Sequence, residues 1–395
     1  MYHWSCMFYK RRIYLDYAAA TPVDPRVERF VGRLKKYYGN PSSIHKEGLD
    51  ARRILNESRT KIARLAQVKT DEIFFTASGT ESNNICIQGV VNAYNDSKSL
   101  PHIITTSIEH ASVLEVCHYL ERKNRAEITY LNVNKDGLID PNDVERNLRE
   151  NTVLVSVMQV NNEIGTVQPI SDISKIVKNF RKDKKSKYPY FHTDAIQAPC
   201  YTDFHFERLG VDLLTLDSLK VYGPKGVGLI IKRNEIELEP IILGGGQERG
   251  LRSGTENILG IAGFAEALRI ADSERRHEVE RLIKLRDYCI KEVCKIFPGA
   301  SLNGSASDRI ANNINVCFPG VDTEFLVIKL DSRGIAVSFS SSCHSKAENS
   351  TSYVISEIGK EDCKGSSLRV TLGRFTKDKD IKTFLKELSQ VLEKN

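Results

Sequence analysis

Between His102 and Ile231 the chain repeats short, almost continuously apolar runs: His102–Thr106, Glu127–Val133, Thr152–Val160, Pro189–Ala195, Val211–Leu216 and Val227–Ile231. A strand with one wet face alternates apolar and polar residues, whereas continuous runs belong to strands covered on both faces. Segments with helical spacing accompany them at Glu81–Tyr94, Ala111–Arg122, Pro141–Arg149 and Ser171–Phe180. This order predicts βαβ units and a mainly parallel sheet flanked by helices. Upstream, Asn56–Ala66 has helical spacing and leads into the apolar run Ile73-Phe74-Phe75.

The texture changes after Gly244-Gly245-Gly246. Asn257–Phe297 reads as mostly helical, turning charged and amphipathic from Ser273 to Lys295. Strands are expected at Asn312–Phe318, Ile335–Phe339 and Ser367–Leu372, with helices at Thr323–Ser332 and Lys377–Glu393. The expected organisation is a loosely attached basic extension (1–12), a large domain (13–256) and a smaller α/β domain (257–395). A chain of 395 residues is long enough for two cores.

Lys and Arg number 57 against 51 Asp and Glu, and the net charge of +6 is spread along the chain, so direct nucleic-acid binding is not expected. The densest basic run, Lys178–Lys187, reads as a solvated loop. Nine cysteines at irregular spacings, with no Cys-x-x-Cys pair, argue against a disulfide framework and a metal site. They favour a reducing, cytoplasmic setting. No run approaches ~18 apolar residues, so no membrane span is expected.

Polar clusters sit at the ends of the expected strands, where open α/β sheets bind ligands. Lys220 closes an apolar strand before the Gly/Pro-dense turn Tyr222–Gly228. Desolvation there can turn a lysine into the nucleophilic amine of a Schiff-base enzyme, although a lysine beside a turn is also an ordinary surface charge. Thr76–Glu81 joins a strand to a helix and offers amides and hydroxyls to a phosphate, or simply an N-cap. His110 stands at a helix start, as a cap or a catalyst, and Asn161-Asn162 follows the most apolar run. Asp194 ends a strand and needs a cationic partner if buried. Ser338–Ser352 lacks helix and strand periodicity, and His344 and Lys346 favour the thiolate of Cys343 within it.

Taken together these clusters resemble the group I cysteine desulfurases, pyridoxal-phosphate enzymes of the aminotransferase class V superfamily. The resemblance runs from Ile13 to the C-terminus. It rests on Tyr14-Leu15-Asp16-Tyr17-Ala18-Ala19-Ala20-Thr21-Pro22, Gly39-Asn40-Pro41-Ser42-Ser43-Ile44-His45, Ser78-Gly79-Thr80-Glu81-Ser82-Asn83-Asn84, Asn161-Asn162-Glu163-Ile164-Gly165, Tyr222-Gly223-Pro224-Lys225-Gly226, Glu248-Arg249-Gly250-Leu251-Arg252-Ser253-Gly254-Thr255 and Leu372-Gly373-Arg374-Phe375-Thr376.

The resemblance implies a fold-type I pyridoxal-phosphate-dependent transferase: a seven-stranded, mainly parallel sheet flanked by helices, plus a smaller C-terminal domain. It implies L-cysteine as substrate, pyridoxal 5'-phosphate as cofactor and a homodimer. It also implies a sulfur-acceptor partner, either an iron–sulfur scaffold or a tRNA-thiolation enzyme. Lys220 is implied as the cofactor-bonding lysine that also moves the Cα proton, and His110 as the residue stacked on the ring. Asp194 is implied at the pyridine nitrogen, Gln197 at the phenolic oxygen, and Asn162 beside ring and substrate. Gly79 and Thr80 are implied at the phosphate, with Thr255 reaching it from the other subunit. Arg369, with Asn40 nearby, is implied at the substrate carboxylate, and Cys343 as the sulfur acceptor on a long loop.

Two positions depart from the pattern. Leu219 stands where the family has a phosphate-binding His before the lysine, and Asp217 where it has a Ser. Weak cofactor retention is expected, with Ser218 compensating in part, because a lost charge-assisted donor costs about 1.5–3 kcal/mol. The chain ends at Asn395, where family members that dock an iron–sulfur scaffold often carry a longer tail. The alternatives are a selenocysteine lyase or other class V enzyme that does not need Cys343, and a degenerate, non-catalytic sulfur-carrier subunit.

Overall fold

The computed structural model describes residues 12–95, 99–339 and 351–393. The expected extension (1–12, but for Arg12) and Cys343 lie outside them. In chain order the strands are β1 (Ile13–Tyr14), β2 (Ile73–Thr76), β3 (His102–Thr106), β4 (Glu127–Leu131), β5 (Thr152–Ser156), β6 (Tyr190–Asp194), β7 (Leu213–Asp217) and β8 (Gly228–Lys232). They continue with β9 (Ser301–Leu302), β10 (Asn313–Cys317), β11 (Ile335–Ala336), β12 (Ser338–Phe339) and β13 (Ser367–Thr371). The helices are α1 (Pro25–Leu34), α2 (Lys46–Ala66), α3 (Gly79–Ala93), α4 (Ala111–Arg122), α5 (Pro141–Asn147), α6 (Ile170–Lys184), α7 (Phe206–Leu209), α8 (Ile258–Ile296), α9 (Thr323–Ser332), α10 (Tyr353–Glu357) and α11 (Asp378–Leu392).

A seven-stranded sheet runs in the order β2-β8-β7-β6-β5-β3-β4. Its pairs from β7 through β6, β5 and β3 to β4 are parallel. β3, β5 and Leu213–Leu216 of β7 are wholly buried, as their continuous apolar runs require, while Asp217 at the turn end of β7 is half-buried. β8 departs from the expected βαβ rule, since it pairs antiparallel to both β7 and β2. Only Ser218–Val227 joins β7 to β8, too short for the crossover of a dozen or more residues that a parallel pair needs. The chain therefore folds back there, and Lys220 rides in the turn.

Successive strands build outward from β3 to β4 and then return past β3 to β5, β6 and β7. That reversal lies between β3 and β5, and a crevice opens at the carboxyl ends of the strands beside it.

Helix α8 links two cores. Its 39 residues span about 58 Å at the α-helical rise. Ile261, Phe264 and Leu268 pack into the core of the large sheet, and Leu282, Leu285, Cys289 and Val293 into a second core that also takes Ile13 and Leu15. The second core backs onto the antiparallel sheet β12-β13-β10-β9. The expected strand Ile335–Phe339 is two pieces: β11 pairs with β1 and β12 with β13.

One cysteine expectation is overturned: Cys317 and Cys363 form a disulfide across a sequence separation of 46. Sequence spacing conceals it because β10 ends at Cys317 opposite Ser367, the first residue of β13, four residues beyond Cys363. Cys86, Cys117, Cys200, Cys289 and Cys294 are free thiols.

Candidate active site

The carboxyl ends of the central strands enclose a cavity of about 240 Å³ lined by Ala18, Ala19, Gly79, Thr80, His110, Ser112, Met158, Val160, Asn162, Asp194, Ile196, Gln197, Asp217, Leu219, Lys220 and Arg369. Gly79 and Thr80 open α3 after β2, and His110 caps α4 after β3. Asn162 follows β5, Asp194 ends β6 and Asp217 ends β7. Arg369 arrives from the other sheet, on β13, opposite Asn315 and Ser338.

Lys220 closes the 3₁₀ turn Ser218–Lys220. Its Nζ donates to the carbonyl oxygens of Ala18 at 2.7 Å and Ala19 at 2.5 Å. Gln197 Nε2 donates to the same Ala18 oxygen at 2.9 Å, so the segment after β1 orients both side chains.

Asp194 is buried, and one carboxylate oxygen accepts from Asn83 Nδ2 at 2.8 Å and the other from the Ile196 amide at 3.0 Å. Burial pushes its carboxyl above the usual carboxylate range, His110 and these two bonds pull it back, and Asp217 pushes the same way as burial. Asn83 is itself held by Thr215, whose hydroxyl donates to its Oδ1 at 2.7 Å, and its amide also donates to Ser112 Oγ. His110 Nδ1 accepts from the Ser112 amide at 3.1 Å. The residue is thus both helix cap and cavity wall.

Arg369 is buried and bonds Asp16 Oδ1 at 3.0 Å and the Asn162 carbonyl at 3.2 Å. Its Nε has no hydrogen-bond partner among the described residues. A buried guanidinium that lines a cavity and keeps a donor unpartnered among the described residues suits a carboxylate ligand.

Two buried acids flank these residues in sequence. Burial pushes Glu109 up to about 8, against bonds from the Met158 amide and Thr106. Glu163 is pushed up to about 7 by burial, against the hydroxyl of Ser352, which donates to it at 2.6 Å. Tyr353 OH donates to the Glu109 carbonyl. The chain therefore leaves the Ser-rich segment through two residues fastened next to His110 and Asn162.

Three expected residues lie elsewhere. Asn40 is exposed, its side chain accepting from the Ser42 amide, and it does not line the cavity. Thr255 is also exposed outside it. Ser218 is fully buried, and its Oγ would lie 2.2 Å from a Cβ at Gly223, so the hydroxyl packs against that glycine rather than lining the cavity. Asp16 and Asn83, which stand in two of the matching motifs without an assigned role, and Ser112, which stands in none, hold the site together.

Pyridoxal phosphate fits the residues at three points: an amine at Lys220, a buried carboxylate at Asp194 for the ring nitrogen, and imidazole beside it at His110. At the fourth, the phosphate end, Leu219 offers no donor and Asp217 is acidic. Among the described residues no cluster of three or more metal-ligating side chains occurs, and no helix is long and apolar enough to cross a membrane.

Residues 13–384 match the family model of the class-V aminotransferases. A cysteine desulfurase IscS of Dictyoglomus turgidum is 44% identical over 387 residues, covering 98% of this chain and 95% of that one. Cysteine desulfurase IscS 1 of Archaeoglobus fulgidus is 40% identical, covering 96% and 97%. A solved NifS-like protein superposes with a TM-score of 0.89 at 34% identity, covering 97% of this chain and 100% of that one.

Proposed function

Because this chain belongs to the class-V aminotransferase family, we infer that it is a pyridoxal-phosphate-dependent cysteine desulfurase, and we propose the following roles for its residues. The observation that carries them is the convergence of Lys220, Asp194 and Arg369 on one cavity from three different elements. When bound, the cofactor supplies an electron-poor ring that accepts the electron pair released at the substrate Cα.

Asp194 would hold the ring nitrogen protonated, His110 would lie against the ring, and Asn162 and Gln197 would fix its orientation. Lys220 would hold the cofactor through its amine and would move the proton at the substrate Cα. Arg369 grips the substrate carboxylate. The Cys343 thiolate attacks the substrate sulfur, the carbon–sulfur bond breaks, and the carbon takes a proton to become alanine while Cys343 keeps the sulfur as a persulfide. Atoms balance without an external oxidant. Cys343 then passes the sulfur to an acceptor protein for iron–sulfur cluster assembly, tRNA thiolation or both.

A homodimer and a reducing, cytoplasmic setting belong to the same reading. Tyr38, Ile44 and Leu243 are 81%, 89% and 78% exposed, apolar surface that a second copy would bury. Leu243 lies beside the bridge between Ile242 and Arg252, on the segment leading to Thr255, which suits a Thr255 hydroxyl delivered across the interface. Sedimentation equilibrium distinguishes a dimer from a monomer, and alanine release from L-cysteine by wild type and Lys220→Ala tests the chemistry: equal rates would remove Lys220 from it.

A further inference from the structure

The amide at the start of α3 is already bonded to an anion. Asp217 ends β7, and its Oδ2 accepts the Gly79 N–H at 2.8 Å while its Oδ1 accepts the Leu219 N–H at 2.8 Å. One carboxylate thus holds the first amide of the 15-residue helix α3, whose N-cap is Ser78, and caps the turn that carries Lys220. The leading amides of a helix, with the positive end of its dipole, form the surface a phosphate binds. Asp217 fills part of that surface.

The space there is closed as well as charged. A Cβ at Gly79 would lie 2.2 Å from Ile196 Cδ1 and 3.3 Å from Asp217 Cβ, so Ile196 and Asp217 both crowd this glycine. Leu219 and Asp217 both line the cavity, and the carboxylate of Asp217 acts on Asp194 across it. A phosphate entering beside Gly79 meets a carboxylate holding the donor it needs.

We infer that Asp217 is an internal anion that occupies the phosphate position of the cofactor-free protein, so that loading proceeds by displacing a carboxylate from the Gly79 amide. The inference rests on the cavity being the pyridoxal-phosphate site. It makes the protein self-capped and stable when empty, and reversible in its hold on the cofactor. Only ligands with a phosphate meet the barrier, because the ring and amine contacts at Asp194, His110 and Lys220 do not use the Gly79 amide.

Asp217→Asn tests this, because the amide keeps an oxygen for the Leu219 N–H and removes the charge. Cofactor-free wild type and D217N are titrated with pyridoxal phosphate and, separately, with pyridoxal, following the visible band of the lysine-bound ligand. Thermal shifts are recorded with inorganic phosphate alone. D217N is expected to bind pyridoxal phosphate about tenfold tighter or better, to bind pyridoxal within about twofold of wild type, and to be stabilised by phosphate where wild type is not. Equal affinity of both proteins for pyridoxal phosphate, or equal tightening for pyridoxal, overturns the inference and leaves the function standing. A Lys220-dependent band absent from both proteins overturns the inference together with the cofactor site.

Discussion

Arg369 on β13 holds Asp16, two residues beyond β1, at 3.0 Å. The guanidinium is held in place before any substrate arrives, with Nε still unpartnered among the described residues. Burial raises the Asp16 carboxyl, and Arg369 opposes that shift most strongly among the neighbouring charges.

Arg369→Lys keeps the charge and loses the planar fork, so its effect falls on carboxylate binding. The KM for L-cysteine is expected to rise about ten- to a hundredfold, with a smaller change in kcat, in steady-state alanine release. An unchanged KM would move the substrate carboxylate elsewhere.

Asn83 joins β7 to the site by bonding Thr215, Ser112 and Asp194 at once. Asn83→Ala leaves the buried carboxylate of Asp194 short of a donor and costs about 1–3 kcal/mol of stability by urea titration. It is also expected to weaken pyridoxal-phosphate binding, since Asp194 loses its orientation. Asn83→Ser supplies a hydroxyl donor in place of the amide and recovers part of the affinity.

Glu109 and Glu163 have carboxyls pushed up to about 8 and about 7. A raised carboxyl binds its proton more tightly when folded. Its contribution is therefore full below the ordinary value of about 4.3 and is lost as pH rises through 7 to 8. Relative to wild type, Glu163→Gln should gain thermal stability from about pH 4.3 up to about pH 7 and Glu109→Gln up to about pH 8, with no further gain above those values. Parallel melting curves across that range would mean that neither acid titrates on unfolding.

The strands were legible where the pattern alone decides the structure. β3 and α9 match their expected ranges because an apolar run or a helical face bounded by polar residues has one stable reading. β8 was legible as a strand but not in direction, which the length of Ser218–Val227 decides. Ile335–Phe339 reads as one apolar run, and nothing along it says that Ala336 and Ser338 pair in different sheets. Strand-end clusters identified Lys220, Asp194, His110 and Asn162. Asn83 escaped because a polar residue on a helix looks solvated until its partner, 111 positions away, is packed against it. Asp217 could be read as an unfavourable neighbour of a phosphate, but only the fold brings it to the Gly79 amide.

The most direct test of the central claim is a single incubation of the cofactor-loaded protein with L-cysteine, without an acceptor, quantifying alanine and protein-bound persulfide in wild type and Cys343→Ser. The account predicts about one alanine and one persulfide per chain from wild type, and neither from C343S. Alanine released by C343S at the wild-type rate, with no persulfide on either protein, would contradict it.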